Sequence, residues 1–134
     1  MRYLGIDYGE KHIGIAVSDE TGSLAFPFAT FSNNKDLIEE IKKVVEEKGV
    51  EGIVIGESKD FQGKENSIME RARAFARALG DSLSLPVFFE PEFMTSVEAR
   101  RFQGGGEKTH ASASALILKS FLERKKNHPQ PLLG

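Results

Sequence analysis

An α/β fold on a mixed five-stranded sheet is predicted by three observations. Two short apolar, β-branched runs near the start, Arg2–Ile6 and His12–Val17, are joined by the five residues Asp7–Lys11, with Gly9 supplying turn chemistry. Beyond a third strand, the hydrophobic period changes from that of strands to that of amphipathic helices alternating with short apolar runs. Gly52–Ile55 is wholly apolar, as a strand buried on both faces must be.

The elements follow in order. Asp19-Glu20-Thr21-Gly22 is a second turn and leads into a third strand over Leu24–Phe31, completing an antiparallel meander. Leu37, Ile38, Ile41, Val44 and Val45 recur at helical spacing, with Asn34 placed to cap the helix and Gly49 to stop it. After Gly52–Ile55 and a polar loop, Glu57–Lys64, the periodicity predicts a helix from Asn66 to Leu79, ended by Gly80. Pro86–Phe89 is the fifth strand. Thr95-Ser96-Val97-Glu98 has capping-box spacing and opens a short helix. Ala115, Leu118, Phe121 and Leu122 stripe a final helix over Ala111–Lys125. This order, with a crossover laying the fourth strand beside the first, matches the ribonuclease H-like fold and its sheet order 3-2-1-4-5. One domain is expected over residues 1–126, with residues 127–134 a disordered tail.

Composition narrows the function. A chain of 134 residues with 28% charged residues is an ordinary globular protein, and its lack of cysteine excludes disulfides and thiolate metal sites. No apolar run reaches the ~20 residues that span a bilayer, so a cytoplasmic protein with no membrane partner is expected. The net charge of −2 speaks against coating nucleic acid by bulk electrostatics. The charge is uneven, however: residues 1–62 carry 7 basic and 12 acidic side chains, and residues 63–134 carry 11 and 8. The second half is the one suited to a phosphate backbone.

Asp7 ends the strand expected at the sheet centre, where open α/β sheets bind ligands. Gly5 and Gly9 flank it, so backbone and ligand can approach. A carboxylate there suits a hard divalent cation, Mg²⁺ or Mn²⁺, and one or two such ions can activate water against a phosphodiester. The alternative role for Asp7 is to cap the hairpin turn.

The run G-I-D-Y-G-E-K-H-I-G-I-A-V-S-D at Gly5–Asp19 resembles the signature of the YqgF family, the RuvX-like Holliday junction resolvases. The likeness continues through I-V-I-G at Ile53–Gly56, Gly63, L-P-V at Leu85–Val87, E-x-x-T-S from Glu92 to Ser96 and A-L-I-L-K-S-F-L at Ala115–Leu122. The resemblance implies a metal-dependent nuclease of the ribonuclease H-like fold, acting at the 5′ end of pre-16S ribosomal RNA or on four-way DNA junctions. It also implies a three-acid site. The first acid matches Asp7 and the second Glu92. The third is an aspartate just before the last helix, and that position is His110 here. Imidazole still ligates metals but brings no negative charge. His110 is therefore either a third ligand or a surface histidine of a site that has lost activity, with Glu107 able to substitute in part if its loop folds inward.

Around Glu92 the motif's aspartate and arginine are Pro91 and Phe93, and Glu90 offers a further acid on the same face of an extended segment. Lys11 stands where a basic pair is usual, next to His12 rather than an arginine, and is a candidate phosphate contact. Asp19 also matches a family position but reads as a turn residue. Arg73 and Arg77, one helical step apart, with Arg100, Arg101 and Arg124–Lys126, are candidate substrate contacts that position a backbone without reading bases. Gly104–Gly106 is either a substrate-ordered lid or a linker. Structured RNA, including ribosomal precursor particles, is the expected partner ahead of a four-way junction, with the protein a monomer or homodimer. The competing class is a catalytically impaired binding or ribosome-assembly module. A third reading, G-I-D-Y-G as an actin-like phosphate loop, needs two domains closing on a nucleotide.

Overall fold

The computed structural model describes residues 1–57, 67–91 and 107–127. Strands β1 (Tyr3–Tyr8), β2 (His12–Ser18) and β3 (Ala25–Ser32) are followed by helix α1 (Leu37–Lys48) and strand β4 (Gly52–Glu57). Helix α2 (Ser67–Leu83), strand β5 (Val87–Pro91) and helix α3 (Glu107–Asn127) complete the described elements. The sheet order is β3-β2-β1-β4-β5, antiparallel across β3, β2 and β1 and parallel across β1, β4 and β5. This is the ribonuclease H-like arrangement expected from the sequence.

Strand alternation divides the core between two faces. Leu4, Ile6, Ile13, Ile15, Ile53 and Ile55 point to one side and pack with α1 and α2 through Ile41, Val44, Ala76 and Leu79. Tyr3, Ala16 and Val54 point to the other and pack with Ile117, Leu118, Phe121 and Leu122 of α3. On the α3 side, Gly5 and Gly14 leave no side chain between strand and helix. A Cβ added at Gly5 would lie 2.9 Å from Leu118 Cβ and 3.0 Å from the Ser114 carbonyl oxygen, so α3 rests directly on the β1 backbone. Gly5 therefore admits a helix, not a ligand. Gly9 serves the turn, where a Cβ would meet the His12 carbonyl at 2.5 Å.

Several boundaries differ from expectation for local reasons. The residue before α1 is Asp36, with no side-chain cap; Asn34 instead accepts the Asp36 N–H at 2.9 Å. Gly49 does end α1, in the left-handed conformation (φ 68°). Gly80 does not end α2, which runs on to Leu83 before Ser84 (φ 56°) donates its N–H to the Gly80 carbonyl. The glycine lies close to β5: a Cβ there would come within 3.3 Å of Val87 Cγ2. The capping-box segment at Thr95, the glycine run Gly104–Gly106, the Glu57–Lys64 loop beyond Glu57 and the tail beyond Asn127 lie outside the described residues. Among those described, no helix is long and apolar enough to cross a membrane.

Candidate active site

Asp7 sits at the carboxyl end of the central strand, half-buried. Its backbone pairs with Gly14 in the β1–β2 ladder, which runs on to Tyr8↔Ile13. The parallel β1–β4 ladder stops one residue earlier, at Ile6↔Ile55. The two neighbours of β1 thus part company at Asp7, and the sheet opens there as ligand crevices in α/β folds do. Asp7 lies inside the ladder and is a strand residue. It shares the parity of Tyr3 and Gly5, so its side chain belongs to the α3 face.

Helix α3 begins against this point. The backbone of His110 packs so closely on Gly14 that a Cβ there would lie 2.0 Å from the His110 carbonyl oxygen. Only glycine at this sheet position lets α3 start beside Asp7. His110 is the fourth residue of α3 and not, as expected, a residue preceding it. Its ring lies beside that of His12, with centroids 5.2 Å apart and planes inclined at 31°. His12 opens β2 on the same face as Gly14, which makes it a diagonal cross-strand neighbour of Asp7. In the sequence His12 stands out only as the residue in place of an arginine beside Lys11. The signal for it was its place two residues before a glycine that pairs with the strand-one acid.

Glu92, Arg100 and Arg101 lie outside the described residues, as does the Glu107 side chain. Glu90 faces α3 but is no spare site acid. It is 3% exposed, accepts hydrogen bonds from Arg124 Nη2 (2.5 Å) and Ser120 Oγ (2.8 Å), and ties β5 to α3. Arg124 is thereby engaged in the fold. Lys125 is likewise turned inward, hydrogen-bonded to the Tyr3 hydroxyl and set over the Tyr3 ring.

On the opposite side, Glu57 closes β4 facing α2, where it pairs with Arg73 at 3.6 Å. The Arg73 guanidinium also lies over the Phe89 ring at 5.4 Å. Arg73 thus links α2 to β4 and β5 while remaining about two-fifths exposed. Arg77 is exposed one turn further on. Arg71, which the sequence did not single out, reaches Glu10 of the β1–β2 turn at 3.5 Å. That turn also carries exposed Lys11 and is held from below by Asn33, whose side chain donates to the Gly9 carbonyl at 2.9 Å. Lys11, Arg71 and Arg73 thus lie about the β1–β2 turn and the end of β4, with Arg71 and Arg73 paired with Glu10 and Glu57.

Asp19 stands at the other end of β2 and is a turn residue, as expected. Its carboxylate accepts the N–H groups of Ser23 (2.7 Å) and Leu24 (3.0 Å) and the Thr21 hydroxyl (2.7 Å). Chiefly through the Leu24 N–H, then Thr21 and Ser23, these bonds lower its pKa from 3.8 to about 2.

A carboxylate and imidazoles are side chains of the kinds that bind divalent cations. Among the described residues, no group of three or more His, Cys, Asp or Glu side chains converges on one point.

A carboxylate at the open end of the central strand of this sheet defines a ribonuclease H-like nuclease scaffold. A family model described as "RuvX: Holliday junction resolvase" matches residues 1–124. The chain belongs to this family. A relative from Oleidesulfovibrio alaskensis, described as "Putative pre-16S rRNA nuclease", is 35% identical over 144 residues, covering 100% of both chains. One of the same description from Pelotomaculum thermopropionicum is 36% identical over 134 residues, covering 92% of this chain and 87% of its own. Among solved structures, T. thermophilus RuvC in complex with Holliday junction substrate superposes with a TM-score of 0.65 at 16% identity, covering 98% of this chain and 100% of RuvC. That likeness concerns the fold.

Proposed function

We propose that the protein is a divalent-metal-dependent nuclease that hydrolyses phosphodiester bonds in a structured RNA, the 5′ precursor end of 16S ribosomal RNA being its substrate. The observation that carries this reading is Asp7, held in the central strand where the β1–β4 ladder ends and the sheet opens. Asp7, Glu92 and His110 are the residues assigned to hold Mg²⁺ or Mn²⁺. When bound, the metal neutralises charge on the phosphate and lowers the pKa of an attacking water. The chain's own residues orient the substrate. Lys11, Arg71 and Arg73, with Arg77, Arg100 and Arg101, are suited to phosphate contacts that set register without reading bases. Gly14 seats the start of α3, and with it His110, on β2, the strand paired with the one that bears Asp7.

The test is Mg²⁺- or Mn²⁺-dependent cleavage of an RNA carrying the 5′ precursor segment, comparing the wild type with Asp7→Asn. Loss of cleavage in the variant with unchanged RNA binding is expected. Cleavage that persists in Asp7→Asn refutes the assignment, and RNA binding without turnover in the wild type supports a binding module instead.

The family description favours a second reading, symmetric cleavage of a four-way DNA junction. It requires two sites related by a two-fold axis, hence a dimer on the junction. A protein that stays monomeric on a four-way junction excludes it.

A further inference from the structure

We propose that Tyr8 and Phe75 form a stacking platform that holds an unpaired nucleobase of the substrate beside the phosphate at Asp7. The inference rests on the proposed function for one point, that Asp7 marks where a phosphodiester is held. Asp7 and Tyr8 are consecutive at the end of β1, so their side chains leave the strand on opposite faces. Tyr8 pairs with Ile13 of β2, but the ladder with β4 has already stopped at Ile6↔Ile55. Both residues therefore border the place where β1 and β4 part, Asp7 on the α3 face and Tyr8 on the α2 face. Their Cα atoms are about 3.8 Å apart across the shared peptide. A phosphate at one and a base at the other thus belong to neighbouring nucleotides.

The Tyr8 side carries the groups that hold a base. The rings of Tyr8 and Phe75 lie with centroids 5.1 Å apart and planes inclined at 39°, within the range of attractive aromatic pairs. Both residues pack against the core under α2, yet both are only half-buried, so part of each remains open to solvent. A partly exposed ring is stabilised when a flat π-face covers it, and every base has one. Because Phe75 already restrains Tyr8, little side-chain freedom is left to lose when a base arrives.

A cation lies beside the rings. Arg71 precedes Phe75 by four residues, one turn of α2, and so shares its side of the helix. It meets Glu10 at 3.5 Å, with the two side chains 59% and 74% exposed. An exposed pair of this kind contributes little to the fold, so the guanidinium can exchange a carboxylate for a phosphate oxygen at small cost. Aromatic rings next to an exposed arginine are the combination on which single strands are held without reading their sequence. A base inside a duplex is stacked on its neighbours and does not offer its face. The platform therefore selects an unpaired strand at the position of cleavage.

The experiment uses the full chain with Ca²⁺ in place of Mg²⁺ and a short single-stranded RNA containing 5-iodouridine. Ultraviolet cross-links are mapped by mass spectrometry, and affinities for the single strand and for a duplex are measured. Wild type is compared with Tyr8→Leu, Tyr8→Phe and Phe26→Leu, Phe26 being a 48% exposed ring on the edge strand two strands from Asp7. Cross-links at Tyr8 or Phe75 are expected. Tyr8→Leu should bind the single strand about tenfold more weakly and the duplex unchanged, while Tyr8→Phe and Phe26→Leu bind as wild type. Wild-type cross-links that map only elsewhere overturn the inference whether or not the variants fold. Wild-type affinity in a folded Tyr8→Leu overturns it too, as does a loss in Tyr8→Phe equal to that in Tyr8→Leu. Cross-linking at Tyr8 by a wild type that cleaves no RNA in Mg²⁺ or Mn²⁺ refutes the nuclease reading and leaves the platform standing.

Discussion

Gly14→Ala tests whether the α3–sheet contact sets the site. The added Cβ would lie 2.0 Å from the His110 carbonyl oxygen, 2.4 Å from its carbon and 3.1 Å from the Ala111 nitrogen. These are all backbone atoms, so no side chain can swing aside. Real Cβ atoms do not approach closer than 3.0 Å, so the start of α3 must move by about 1 Å or β2 must buckle. Overpacking of a core costs about 1–3 kcal/mol, and a clash with helix backbone belongs at the upper end, near 3 kcal/mol. A domain with 5–15 kcal/mol of total stability remains folded after such a loss. Activity should suffer more than stability, because a displacement of about 1 Å at a reacting site can cost roughly a hundredfold in rate. Urea denaturation and RNA cleavage are measured side by side, with Gly49→Ala as the control. That residue has open space around it but a φ of 68°, so its substitution should cost about 1 kcal/mol and leave cleavage alone. A Gly14→Ala protein with the wild-type urea midpoint and wild-type cleavage would show that α3 is not seated as described.

Other substitutions separate fold from site. Arg124→Ala strands the buried Glu90 carboxylate with Ser120 alone and should cost about 2 kcal/mol; adding Glu90→Gln should recover part of it in urea titrations. The Asp19 carboxylate has its folded pKa depressed to about 2, so the stability it confers is complete above about pH 4 and lost as pH falls toward 2. Asp19→Asn should therefore flatten the melting temperature across that window, and an unchanged pH slope there would contradict the turn geometry. Lys11→Ala should leave the urea midpoint within about 0.5 kcal/mol of wild type and lower the salt slope of RNA binding by about one, read by filter binding at several salt concentrations. Arg73→Ala should weaken both the fold and RNA binding, because its guanidinium also holds Glu57 and covers Phe89; an effect on binding alone would argue against those contacts.

The sheet was legible because its strands are short and strongly patterned. The meander, the crossover and the order 3-2-1-4-5 followed from Gly9, Asp19–Gly22 and the apolar run at Gly52–Ile55. Errors arose where one residue type serves two purposes. Gly80 carries the mark of a helix stop, yet it lies within α2 and close to Val87, and the residue of positive φ that follows the helix is Ser84. Gly5 looked like an opening for ligand and is the bed of α3. Arg73 and Arg124 read as candidate phosphate contacts, because nothing local says that Glu57 and Glu90 come to meet them. Asp7 was legible as a strand-ending carboxylate. The His12–His110 contact was not, since 98 positions of chain separate two residues brought together only when α3 lies across β2.

One sequence feature does encode that crossing. In Leu4-Gly5-Ile6-Asp7, Ile13-Gly14-Ile15-Ala16 and Gly52-Ile53-Val54-Ile55-Gly56, large aliphatic residues alternate with small ones on the three central strands. Leu4 and the isoleucines face α1 and α2, while Gly5, Gly14 and Ala16, together with the larger Val54, face α3. A flat, glycine-lined face lets one helix descend onto the sheet backbone, whereas a face of isoleucines holds its helices at side-chain distance. The close approach brings the start of α3 to the ladder position of Asp7, and the glycine at position 14 removes the one side chain that would stand between them. The same alternation that builds the core therefore also decides which helix start lies over the Asp7 end of the sheet: α3, on the face that carries the glycines. Glu57, the other acid at the open end of the central strands, faces α2 and is taken up by Arg73.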